Sequence, residues 1–184
     1  MDFVKADGTG YPYLPQELEA LDLARRRCGR DIILSLSSGM PWDSSAAEHR
    51  RNHCEMWRVT EDLWDRWPQL ERAFTVMRTW APTVQPGCWV DLDMLPLGRI
   101  GIRQHPDNSP DRQSAFTHGE QTMLMTLCAI AQCPLMMGGD LPSNDAWTLA
   151  LLTNPEVLAI NSTGRRPREL FHNCHYSAHV WACE

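Results

Sequence analysis

"MWRVTEDLWDRWPQLERAFTVMRTWA", residues 56–81, joins two hydrophobic patterns end to end. "MWRVT" is a short apolar run that suits a strand, and "DRWPQLERAFTVMRTWA" reads as a helix. Glu61, Asp62 and Asp65 gather at the junction. Acids in a first helical turn ordinarily complement the macrodipole. Arg58 and one of these acids, standing where a strand stops, could equally do chemistry there.

The same alternation extends in both directions. "FVKA" (3–6) reads as a strand ending at Asp7-Gly8, and "PQELEALDLARRRCG" (15–29) as a helix with a proline near its start and Gly29 beyond its end. "DIILSLSSG" (31–39) is a short apolar run closing on small polar residues, as suits a strand buried on both faces. "CWVDLDM" (88–94) reads as a strand and "THGEQTMLMTLCAIAQC" (117–133) as a helix opened by a capping box, Thr117 with Glu120. "PLMMGGD" (134–140) reads as a final strand before the helix "SNDAWTLALLTN" (143–154) and the short apolar piece "EVLAIN" (156–161). Five strand-then-helix units imply a parallel sheet with right-handed crossovers, either doubly wound or part of an eight-fold barrel.

With 184 residues, 43% hydrophobic content and a formal net charge of -6, the chain is long enough for one domain with a buried core. The acidic balance and scattered arginines argue against a nucleic-acid partner. No run approaches a membrane span, and "MDFVKADG" lacks the basic and apolar regions of a signal peptide. The seven cysteines (28, 54, 88, 128, 133, 174, 183) contain no CxxC and are read as core residues or incidental thiols. His49 and His53 in "EHRRNH" could share a helical face. With no third ligand nearby in sequence and two arginines between them, they read as a solvated face, and no metal or cofactor is assigned.

In a barrel the C-terminal ends of all strands converge on one face. Those ends carry Lys5 and Asp7; Ser37 and Ser38; Arg58 and Asp62; Trp89, Asp91 and Asp93; and Gly138, Gly139 and Asp140. The "GTG" at 8–10 lacks the third glycine of a dinucleotide fingerprint. Converging carboxylates with tryptophans suit sugar chemistry, in which one acid protonates a glycosidic oxygen and another attacks or stabilises the anomeric carbon. Clustered acids can also hold a divalent metal. Each residue has a plainer use as well. Asp7 before glycine is a turn residue, Arg58 a structural ion-pair partner, and Asp91 and Asp93 share a strand face and could close a barrel end.

"FVKADG", "MWRVTEDLWDRW", "PGCWVDLDMLPLG" and "EQTMLMTLCAIAQCPLMMGGDL", followed by "LLTNPEVLAIN", together resemble the second half of the catalytic barrel of glycoside hydrolase family 27, the melibiase or α-galactosidase family. The resemblance implies an α/β chain forming an incomplete (β/α)8 barrel, about five βα units corresponding to strands 4 to 8. It implies a partial barrel over 1–172, and a truncated C-terminal β-domain or tail over 173–184. An eight-fold barrel needs ~250 residues, so the resemblance implies a truncated product. Its open edges would favour self-association.

The resemblance also implies roles. In "KAD", Asp7 would be the nucleophile and Lys5 a hydroxyl-binding cation. In "RVTED", Asp62 would be the acid and then the base, with Arg58 binding substrate and positioning the carboxylates. In "WVDLDML", Asp93 would bind a sugar hydroxyl while Trp89 and Met94 shape the pocket. Retention would place Asp7 and Asp62 ~5 Å apart. Where α-galactosidases of the family often carry Glu-Trp, this chain has "SLSSG", which puts Ser37 in the pocket and leaves open galactose, N-acetylgalactosamine or arabinopyranose as the sugar. A non-catalytic fragment, and more remotely a metal-dependent barrel enzyme, remain the alternatives.

Overall fold

The computed structural model describes residues 2–8, 12–37, 44–101 and 111–184. Four strands, β1 (Phe3–Ala6), β2 (Ile33–Leu36), β3 (Met56–Arg58) and β4 (Trp89–Asp91), form one parallel sheet in chain order. Between them run α1 (Pro15–Arg27), α2 (Ala47–His53) and α3 (Trp67–Trp80). This is the repeated strand-crossover-strand pattern read from the sequence. The pairing Lys5 with Ser35, Ser35 with Met56, and Met56 with Trp89 sets the register.

Because side chains alternate across a strand, this register separates two faces. Val4, Ala6, Leu34, Leu36, Trp57 and Val90 point one way. Lys5, Ser35, Met56, Arg58, Trp89 and Asp91 point the other. The first face meets the helices, where Leu34, Leu36, Trp57 and Val90 join Leu18 of α1 and Leu70, Phe74, Met77 and Trp80 of α3 in a common core. Trp57 and Trp80 are wholly buried and meet edge to face with centroids 6.2 Å apart. Each contributes several kcal/mol of apolar burial, on the order of 3.

Beyond β4 come a two-stranded antiparallel ribbon, β5 (Arg99–Ile100) with β6 (Arg112–Gln113), and α4 (His118–Ala131). The Thr117–Glu120 capping box is present in full at the start of α4. Two elements differ from the sequence reading. "PLMMGGD" is no regular strand: Met137 makes a single parallel bridge with Leu95, and Asp140 N–H turns aside to the Arg99 carbonyl, 2.8 Å away. Pro134 and the glycine pair cannot sustain a ladder there. "EVLAIN" belongs to a helix, α6 (Pro155–Thr163), which follows α5 (Ala146–Leu152) and is capped by the Asn154 side chain. An antiparallel hairpin, β7 (Arg168–Asn173) with β8 (Ala178–Ala182), closes the chain, so a boundary at residue 172 would fall inside β7.

Cys54, Cys88, Cys128 and Cys133 are buried thiols, and burial pushes Cys54 up to about 12. No described helix is long and apolar enough to cross a membrane.

Candidate functional site

The C-terminal ends of β1, β3 and β4 bring together five charged side chains. Lys5 Nζ donates to Asp91 Oδ2 at 3.2 Å and stands 3.7 Å from Asp93 Oδ1. Arg58 Nη1 donates to Asp93 Oδ1 at 3.2 Å and to Asp62 Oδ1 at 2.9 Å. The result is a continuous ionic chain, Asp91–Lys5–Asp93–Arg58–Asp62, running from a buried carboxylate to an exposed one.

Exposure is graded along this chain. Asp91 is fully buried, and Asp62 is 72% exposed at its side chain. Burial pushes the Asp91 carboxyl above the ordinary carboxylate range, and Lys5 opposes that shift. Burial would lower the Arg58 guanidinium, but Asp93 and then Asp62 outweigh it and raise its pKa. A cation shared by two carboxylates in a half-buried site cannot leave either without leaving charge uncompensated, so Arg58 fixes the geometry of both.

Asp93 sits at φ 80°, a left-handed conformation that a non-glycine side chain rarely takes. Its own bonds hold it there. Asp93 N–H donates to Asp91 Oδ1 at 2.8 Å, and Asp93 Oδ2 accepts from Leu63 N–H at 3.0 Å. Backbone strain of this kind persists where surrounding contacts over-determine it, typically at functional sites.

The other residues singled out from the sequence fall in different places. Asp7 follows β1 at the same strand end, exposed, with Oδ1 accepting the Gly8 N–H at 2.9 Å. Ser37 follows β2, its N–H donating to the Ala6 carbonyl at 2.8 Å, which seats it beside the β1 end. Ser38 lies outside the described residues. Met94 packs on Gly138, where its side chain occupies the space that a Cβ would need.

Trp89 is placed apart from this group. It starts β4 rather than ending it, two residues before Asp91, or about 7 Å lower along the strand. There it lines a cleft with Gln85, Gln132, Asn161 and Arg165. The sequence pattern puts Trp89 and Asp91 on one face, but only the register shows at which end of the strand each stands.

Two acids to which the resemblance gives no role have positioning roles in the structure. Asp91 anchors both Lys5 and the Asp93 backbone. Asp65 is buried and takes Arg112 and the Ala115 N–H, tying the loop after β3 to the strand before α4. The motif "WVDLD" could have pointed to Asp91, since a carboxylate at i−2 on the same face is the nearest partner available. Nothing local signals Asp65. Among the described residues, one cluster has metal-ligating composition, Glu19 with His49 and His53, and it lies on the helices.

The family model described as Alpha galactosidase A (Melibiase_2) matches residues 1–163. Alpha-galactosidase 2 of Arabidopsis thaliana is 34% identical over 105 residues, 57% of this chain and 23% of that protein. Human alpha-galactosidase A is 28% identical over 172 residues, 88% of this chain and 37% of its own length. Among solved structures, a GH27 β-L-arabinopyranosidase from Geobacillus stearothermophilus superposes with a TM-score of 0.93 at 41% identity, covering 100% of this chain and 42% of that one. The chain thus spans less than half the length of each of these relatives.

Proposed function

Since the chain belongs to the melibiase (alpha galactosidase A) family of glycoside hydrolases, we propose that it carries the two-carboxylate half of a retaining exo-glycosidase site for terminal α-galactosides. The ionic chain from Asp91 to Asp62 carries this reading. Asp62, just past β3, shares Arg58 with Asp93, and Asp7 follows β1 at the same end of the sheet, with β2 between the two strands.

In the proposed reaction Asp7 attacks the anomeric carbon while Asp62 gives a proton to the leaving oxygen, forming a glycosyl ester and a free alcohol. Asp62 then takes a proton from water, which displaces Asp7 and restores both groups with net retention. Lys5 and Asp93 would hold ring hydroxyls. Arg58 would keep Asp62 and Asp93 at fixed separation, the kind of orientation that lowers an activation barrier without new chemistry.

A second sugar has specific support. The 41% identity to a β-L-arabinopyranosidase covers this whole chain, and β-L-arabinopyranose has the ring configuration of α-D-galactose without its hydroxymethyl group. Ser37 would instead face the 2-position of the sugar. A small hydroxyl there also leaves room for an N-acetyl group, so α-N-acetylgalactosaminidase activity is the third member of the set.

The test is release of p-nitrophenol from the α-D-galactoside, the β-L-arabinopyranoside and the α-N-acetylgalactosaminide, with the anomer of the first product followed by NMR. Turnover with retained configuration, lost on Asp7→Ala and Asp62→Ala, is the expected result. An inverted product, or turnover indifferent to Asp7, would sink the mechanism. Folded protein that binds sugar without turnover would favour a non-catalytic chain.

A further inference from the structure

Glu19 on α1 and His49 and His53 on α2 converge on the helix-covered side of the sheet, away from the ionic chain. One ligand atom from each lies within 4.8 Å of the other two. His49 Nε2 is 3.1 Å from Glu19 Oε1, and the two imidazole rings are 4.6 Å apart. Sequence spacing offered only the histidine pair; the third group comes from the neighbouring helix, 30 residues earlier.

A second observation concerns the far side of each ring. His49 Nδ1 is 2.6 Å from Tyr13 Oη, and His53 Nδ1 is 3.0 Å from Asp22 Oδ2. Asp22 is buried and is gripped by Arg25 at 2.7 Å and Arg26 at 2.9 Å, so its carboxylate is fixed in place. Metal-bound imidazoles characteristically donate their other N–H to a carboxylate or similar acceptor, which sets the tautomer and aims the ligating nitrogen. His53, with Nδ1–H given to Asp22, presents Nε2 as its basic nitrogen. His49 can do the same when Nδ1–H is given to Tyr13 Oη.

We propose that Glu19, His49 and His53 form a binding site for a divalent transition metal of the zinc type, with Nε2 of each histidine and one Glu19 oxygen as ligands and water completing the shell. Two imidazoles and a carboxylate are a known three-ligand set for zinc, and imidazole selects this part of the metal series over calcium or magnesium. Bonds of about 2.0 Å require tetrahedral donors roughly 3.3 Å apart, which the 3.1 Å Glu19–His49 pair already meets. The third donor, His53, lies within 4.8 Å of the other two, and the exposed Glu19 side chain can follow it as the site closes. No net proton is released: the His49 proton that faces Glu19 in the free site is lost there while Nδ1 gains one, a change of tautomer. The metal would clip α1 to α2 and so act on the stability of this side of the sheet.

The experiment uses the untagged full chain with exposed Cys28 and Cys174 alkylated, because thiolates compete for zinc. Zinc chloride is titrated by calorimetry, and cobalt binding is followed by its visible d–d absorption. The expected result is about one zinc per chain, a tetrahedral cobalt spectrum and a thermal midpoint raised by zinc and restored by EDTA. Glu19→Gln and His49→Gln, with unchanged circular dichroism, should each weaken zinc by at least about tenfold. Absence of binding to the native chain, or an isotherm identical in all three proteins, would overturn the proposal. The surface position of Glu19 keeps the first variant informative even where His49→Gln perturbs α2.

Discussion

Lys5 Nζ on β1 and Asp91 Oδ2 on β4 are 3.2 Å apart, although two strands lie between them. Neighbouring strands are about 4.8 Å apart, so along a flat sheet the two backbones would be separated by about 14 Å. A lysine side chain of about 6 Å closes that gap only if the sheet curls toward the face that both residues share. The pair is therefore a direct readout of barrel curvature, and it is made by residues at the candidate site.

Lys5→Met tests the pair through pH. The Asp91 pKa is raised in the fold, above its ordinary 3.8, so the stability it contributes is fully present below that value and is lost as pH rises through the folded value. Removing Lys5 should deepen that loss. The variant should be less stable than the native chain by about 1–2 kcal/mol at pH 7, a figure discounted for the partly exposed lysine. The difference should shrink toward pH 4. Urea midpoints at the two pH values check it; a pH-independent difference would mean that Lys5 acts by packing alone.

Arg58→Lys should separate alignment from folding. Lysine keeps the charge but is shorter, and a rotatable ammonium replaces the planar group that holds one nitrogen, Nη1, between Asp62 and Asp93. Turnover of the preferred p-nitrophenyl glycoside should fall about 10–100-fold with a thermal midpoint lowered by only a few degrees. An unchanged kcat would remove Arg58 from the proposed mechanism.

Asp22→Asn should matter more at neutral than at acid pH. Burial alone would raise this carboxyl, but hydrogen bonds from Arg26, Arg25 and His53 outweigh it and hold it at about 2. A lowered pKa means stability present above 3.8 and lost as pH falls from there toward 2. The variant should cost about 1–2 kcal/mol at pH 7, discounted because Arg26 is largely exposed, and less at pH 3. Denaturant unfolding at both values measures the convergence.

Gly138 and Gly139 should tolerate alanine unequally. A Cβ at Gly139 would meet the Leu97 carbonyl oxygen and Met137, and backbone cannot step aside. At Gly138 its three nearest atoms would be Met94 Cβ, Cγ and Sδ, so the Met94 stem must shift as well as its tip, but no carbonyl oxygen is among them. Gly139→Ala should cost about 3 kcal/mol and Gly138→Ala about 2, read as a difference in urea midpoint.

Thr117→Ala removes the cap from the Glu120 N–H and the acceptor half of the box at α4. A loss of about 1 kcal/mol is expected, measured by thermal unfolding, with no effect on sugar turnover because α4 lies behind the sheet.

The elements whose signal is local were legible in the sequence. "FVKA", "MWRVT" and the helices after them announce themselves by periodicity and by turn residues, and the box at Thr117 by spacing alone. "PLMMGGD" was misread because its apolar content is that of a strand, while its single bridge depends on how closely the chain passes Leu95 and Leu97. "EVLAIN" was too short and too evenly apolar to show the helix that Asn154 caps.

At the site, sequence determined which residues stand at strand ends, because alternation and strand length fix that locally: Lys5, Asp7, Arg58, Asp62 and Asp93 follow from it. Tertiary structure decided which of them touch. The parallel register put Trp89 at the far end of β4, sheet curvature joined Lys5 to Asp91, and the packing of α1 on α2 brought Glu19 to His49 and His53. Each of these is a distance between residues remote in sequence, set by packing and twist summed over many residues, and no local pattern encodes it.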